Sequence, residues 1–157
     1  MDKLEDLIVE YENEVEIRDT DFSKISGLKG LCVDNYIFLE KRLTTNDKRC
    51  VLAEEIGHYK TSVGNILDQN SIVNQKQELT AHRWAIHKLI DLDDIIEASR
   101  EGICNFFELA EFLNITEEFL HAGIEALKAI YGTHVEYNGK IIQFEPLDVL
   151  DSDEKLK

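Results

Sequence analysis

At 157 residues the chain suffices for one compact domain, or two small subdomains sharing a core, and can bury an ordinary apolar interior without a covalent staple. A formal net charge of −15 favours solubility and basic partners, and disfavours non-specific attraction to nucleic acid or anionic membranes. Cys32, Cys50 and Cys104 are widely spaced and form no C-x-x-C pair, which argues against a disulfide framework or a cysteine zinc site. With an acidic N-terminus lacking an apolar leader, and no apolar run long enough to span a bilayer, the expected setting is cytoplasmic, neither exported nor membrane-embedded.

Leu4, Leu7, Ile8 and Tyr11 recur at helical spacing and predict a short amphipathic opening helix. The period then changes. Val15 and Ile17 alternate with charged neighbours, and Leu31-Cys32-Val33 and Tyr36-Ile37-Phe38-Leu39 read as strands around Asp34-Asn35, giving a small antiparallel sheet. Thr44-Thr45-Asn46-Asp47 offers an N-cap and an acidic first turn to a helix running through Val51, Leu52, Ile56 and Tyr59. A polar stretch from about Thr61 to Asn74 reads as a loop, and a second helix follows from about Gln75 to Ile90. Short helices are expected over Asp91 to Arg100, Phe106 to Leu113 and Thr116 to Tyr131, the last begun by Thr116-Glu117-Glu118. Asn138-Gly139, between Val135-Glu136-Tyr137 and Ile141-Ile142-Gln143-Phe144, predicts a hairpin with a type I′ turn, and the acidic stretch beyond Pro146 reads as a loose tail.

The chemistry-bearing motif is Glu54-Glu55-Ile56-Gly57-His58, one residue from the H-E-x-x-H pattern in which two histidines hold zinc and the glutamate is the base. On a helix turning about 100° per residue, Glu54 and His58 lie about 40° apart on one face, opposite Leu52, Ile56 and Tyr59. Glu55 projects between, where a base belongs, beside a metal without being a ligand. Gly57 inside a helix suggests the close approach of a backbone or ligand. The third metal ligand is expected to be Glu78: Glu78, Ala81, His82, Ala85 and Leu89 share a face that should point inward, with small residues letting the two helices approach. His82, four residues on, could replace or supplement Glu78. Each residue has a plainer reading as a solvated or structural side chain, and the joint pattern carries the weight.

Cys50-Val51-Leu52-Ala53-Glu54-Glu55-Ile56-Gly57-His58-Tyr59, followed by Gln77-Glu78-Leu79-Thr80-Ala81-His82-Arg83-Trp84-Ala85, resembles the ImmA/IrrE family of zinc metallopeptidase-like proteins. The likeness extends over most of the chain, to the stretch Phe106 to Leu113. It implies a zincin-like core and a prophage or mobile-element anti-repressor that cleaves a helix-turn-helix repressor encoded beside it. On this resemblance Glu55 is the catalytic base, His58 and Glu78 are metal ligands, and Glu54 stands in the first histidine's place. A two-glutamate, one-histidine site is more oxygen-rich than the usual set, so weaker zinc binding, or another divalent ion, is expected.

The expected architecture is a mainly helical α+β fold, with a small N-terminal antiparallel sheet, a helical C-terminal half and a terminal hairpin. Residues 1–92 would form the metallopeptidase core, 93–146 a helix-turn-helix-like subdomain, and 147–157 a flexible acidic tail. Direct DNA binding by 106–131 is disfavoured, because Glu108, Glu111, Glu117, Glu118 and Glu125 outnumber Lys128. The alternative function is a non-catalytic regulator that binds the repressor without cutting it.

Overall fold

A computed structural model describes residues 2–25, 27–62 and 71–152, without the side chains of 71–74. The fold is α+β and mainly helical, with six helices and two three-stranded sheets among the described residues. It divides into two compact units, Met1–Lys88 and Leu89–Lys157. Among the described residues no helix is long and apolar enough to cross a membrane.

In the first unit α1 (Lys3–Tyr11) begins with a capping box, Asp2 accepting from the Glu5 amide and Glu5 reaching back to the Asp2 amide. It buries Leu7 and Tyr11, the latter packed edge-to-face on Trp84 with ring centroids 6.0 Å apart. Strands β1 (Glu16–Thr20), β2 (Gly30–Val33) and β3 (Tyr36–Glu40) follow. The expected β2–β3 hairpin forms, with Asp34 at φ 52° in its turn. The sheet is mixed, however, not antiparallel. The connection after Thr20 carries the chain round so that β1 lies parallel to the far edge of β3, in the order β1-β3-β2. Glu40, 7 % exposed, is satisfied in place by the Phe22 amide at 2.7 Å and the Arg42 guanidinium at 2.8 Å.

Helix α2 (Thr45–Thr61) starts where its cap predicts, Thr44 accepting from the Asp47 amide at 3.2 Å, and packs on β2 and β3 through a face that buries Leu52 and Ile56 completely. Helix α3 (Ser71–Leu89) begins four residues before the expected start at Gln75. An established helix extends cheaply through polar residues, so polarity marked its boundary poorly. Most of the expected intervening loop, residues 63–70, lies outside the described residues.

In the second unit α4 (Leu92–Arg100), α5 (Phe106–Leu113) and α6 (Glu117–Tyr131) are capped by Asp91, Asn105 and Thr116, each accepting from an amide in its helix's first turn. Strands β4 (His134–Tyr137) and β5 (Lys140–Phe144) form the expected hairpin, Asn138 and Gly139 both having positive φ. The stretch expected to be a loose tail supplies instead a third strand, β6 (Leu147–Asp151), antiparallel to β5. Strand β5, with Ile141, Ile142 and Phe144 buried, is thus central and paired on both edges, which outweighs the acidity of β6. Residues 153–157 of that stretch lie outside the described residues.

Candidate active site

The site begins with an absent side chain. A Cβ on Gly57 would sit 2.5 Å from the Ala81 carbonyl oxygen, so α2 and α3 cross in backbone contact. Three residues before the contact and one after it, each helix carries the same pair: Glu54 and His58 on α2, Glu78 and His82 on α3. The helices run antiparallel, so the pairs meet crosswise. His58 Nε2 lies 3.2 Å from Glu78 Oε2, and His82 Nδ1 lies 3.1 Å from Glu54 Oε1.

Burial differs sharply within the His58–Glu78 pair. The side chain of His58 is 14 % exposed but that of Glu78 is 73 % exposed. Glu78 therefore does not lie on an inward face, as the Ala81, Ala85, Leu89 stripe suggested. That stripe is buried, whereas the preceding turn, with Lys76, Leu79 and Thr80, is open to solvent. Its carboxylate is held at the mouth of the site by His58. The Glu54 carboxylate raises the His82 pKa through their hydrogen bond.

Glu55 points elsewhere, against the backbone of β2. A Cβ on Gly30 would meet its Cγ at 3.0 Å and its Oε1 at 3.1 Å, and Val51 Cγ1 at 2.6 Å. Burial first, then the charges of Glu78 and Glu54, push the Glu55 carboxyl up to about 7. A carboxyl so placed can both accept and return a proton near neutrality. The Gly27–Cys32 stretch lines a cleft of about 430 Å³ together with Val51, Glu54, Glu55, His58 and Glu78. Cys32 also lines it, but burial and the Glu55 and Asp34 charges push its thiol up to about 11, which makes it a poor nucleophile. A neighbouring hollow is lined by Glu54, His58, Glu78, Leu79 and His82.

Of the residues singled out from the sequence, Glu54, Glu55, His58 and Glu78 thus border one cleft, with His82 joined to them through Glu54. Sequence reasoning left His82 as an optional extra, although the E-x-x-x-H spacing shared with α2 was there to be read. The contact of Glu55 with Gly30 had no local signal.

Imidazole nitrogens and carboxylate oxygens are suitable donors for a divalent ion. The 3.1 and 3.2 Å nitrogen–oxygen separations also approach the ~3.3 Å edge of a tetrahedral site with bonds of about 2.0–2.1 Å. In kind and in place the donors suit a metal. They stand as two pairs, though, and among the described residues no three His, Cys, Asp or Glu side chains are gathered to hold an ion.

Residues 12–125 match the family model described as the IrrE N-terminal-like domain, a peptidase family. A comparison with curated proteins gave no match.

Proposed function

The chain belongs to the IrrE N-terminal-like domain family, a family of metal-dependent peptidase type, and on that premise we propose that it is a zinc-dependent metallo-endopeptidase with a zincin-like core. The substrate in this reading is a helix-turn-helix repressor, and the protein a cytoplasmic anti-repressor of a prophage or mobile element. The observation that carries the reading is the α2–α3 crossing, which sets Glu54, His58 and Glu78 in a cleft that Glu55 also borders, with His82 in the neighbouring hollow.

His58 and Glu78 would hold the ion, with Glu54 or, through it, His82 completing the set. When bound, the metal would polarise the scissile carbonyl and lower the pKa of a water. The remaining work belongs to the chain. Glu55, seated against Gly30, takes a proton from the attacking water and returns it to the departing amine nitrogen. Among the described residues strand β2 pairs only with β3, so its outer edge can receive an extended substrate segment as a further strand beside Glu55. Each carboxylate that binds the ion lowers the Lewis acidity left for chemistry, so Glu54 would make a slower or weaker site than histidine.

A second reading has an observation of its own. Because each histidine already has a carboxylate partner, the crossing is chemically satisfied without an ion, which suits a protein that binds the repressor without cutting it. Co-expression with the adjacent repressor separates the two. Proteolysis requires cleavage by the native chain and none by Glu55→Gln, whereas equal derepression by both would replace it with sequestration.

A further inference from the structure

We propose that the groove between α4, the 101–105 turn, α5 and β6 is a docking site for a cationic, amphipathic segment of a partner protein. All the residues lining it belong to the second unit. Its floor is apolar and buried, with Ile95, Ala98 and Leu109 each at 5 % exposure or less, while Ile103 and Leu147 are partly open to solvent. A volume of about 320 Å³ admits one or two large side chains, at the small end of ligand pockets. An anchor residue therefore suits it better than a broad flat partner.

Charge selects the chemistry of that partner. From Leu89 to Lys157 there are sixteen Asp and Glu against five Lys and Arg, so this unit holds −11 of the chain's −15. That sum already counts Arg100, Lys128 and Lys140, which are ion-paired to Glu97, Glu145 and Asp151 of the same unit. Asp148 stands exposed in the groove wall, and Glu101 adjoins Gly102 of the wall. An apolar anchor flanked by Lys or Arg gains on both counts: it fills the groove, and its charges meet a single-sign field that also steers its approach. Nucleic acid phosphates would meet the same field as repulsion.

The test uses the full chain and a fluorescent peptide of alternating leucine and lysine blocks that folds as an amphipathic helix, with a leucine–glutamate counterpart as control. Anisotropy should show binding of the lysine peptide alone, weakened about tenfold between low and moderate salt. Asp148→Lys combined with Glu101→Lys should weaken it at least about tenfold through charge. Ser99→Trp, which fills the groove from a partly exposed position without changing charge, should do the same through shape. Equal binding by the Ser99→Trp protein would overturn the groove, reducing the effect to general electrostatics. Concentration-dependent self-association lost in the same variants would assign the groove to a second copy instead, and duplex DNA binding lost in them would assign it to nucleic acid. Glu55→Gln should bind the peptide as the native chain does, so failure of the peptidase reading and failure of this one are separately visible.

Discussion

Gly57 and Ala81 meet backbone to backbone, and the whole candidate site is arranged about that contact: a Cβ at Gly57 would stand 2.5 Å from the Ala81 carbonyl oxygen. The crosswise pairs Glu54–His82 and His58–Glu78 both require this approach of the helices. Gly57→Ala should therefore cost about 1–3 kcal/mol in urea unfolding, as over-packing does, despite the better helix propensity of alanine. It should also loosen both pairs, and NMR titration should show the His82 pKa falling toward its ordinary value as the Glu54 hydrogen bond weakens. Because the clash is with backbone, adding Ala81→Gly should not rescue it. A rescue would mean that the helices are spaced by side chains.

Glu55 is placed at a cost to stability. Its carboxyl is raised to about 7 from 4.5 by burial and by Glu78 and Glu54. For an acid whose folded pKa lies above its unfolded one, the folded state keeps a proton that the unfolded chain releases. Its contribution is therefore fully present below about pH 4.5, and is lost as pH rises toward 7. Glu55→Gln lacks this dependence. In the metal-free protein it should be more stable than the native chain above pH 7, by on the order of 3 kcal/mol, with the two converging near pH 4. The same change should remove peptidase activity by about 10²–10⁴-fold. Stability gained where activity is lost is the signature of a residue kept for chemistry; no difference in pH-dependent unfolding would show that Glu55 is well solvated.

What could be read from the sequence was whatever is encoded within a turn or two of chain. Thr44 and Thr116 announce their helices because a cap acts over three residues, and Asn138-Gly139 announces its hairpin because the turn demands two positive φ angles. Gly57 was legible too, as a helix position with no local reason to lack a side chain. Features set by distant partners were not. The parallel pairing of β1 depends on where the connection after Thr20 returns, and β6 is recruited by the open edge of β5 in spite of Asp148 and Asp151. Glu78 shares a helix stripe with buried alanines, yet stands where α3 is open to solvent, a property of the neighbours rather than of the stripe.

Gly30 belongs to that illegible class, and it makes the sharpest test of how Glu55 is seated. A Cβ there would lie 2.6 Å from Val51 Cγ1 and 3.1 Å from Glu55 Oε1. Gly30→Ala should therefore lose both stability, by about 1–3 kcal/mol, and activity. The double variant with Val51→Ala removes the harder clash but leaves the carboxylate crowded. It should regain much of the stability while kcat stays low, with KM little changed. Full recovery of kcat would make Gly30 a packing residue only.

The last prediction concerns Glu54, whose oxygen stands 3.1 Å from His82 Nδ1. Changing it to histidine restores the H-E-x-x-H pattern and replaces an anionic oxygen donor with an imidazole, a better match to zinc. It also releases His82 from a carboxylate that raises its pKa, so less proton competition stands between that imidazole and a metal. Both changes act in one direction, and calorimetry should show zinc affinity rising by at least about tenfold, or 1.4 kcal/mol, with manganese gaining less. His58→Ala should abolish uptake in either background. If Glu54→His binds zinc no better than the native chain, Glu54 is not at the ligand position. The Glu54–His82 pair then serves to lock the crossing of α2 and α3, and the case for a binding protein over a peptidase grows accordingly.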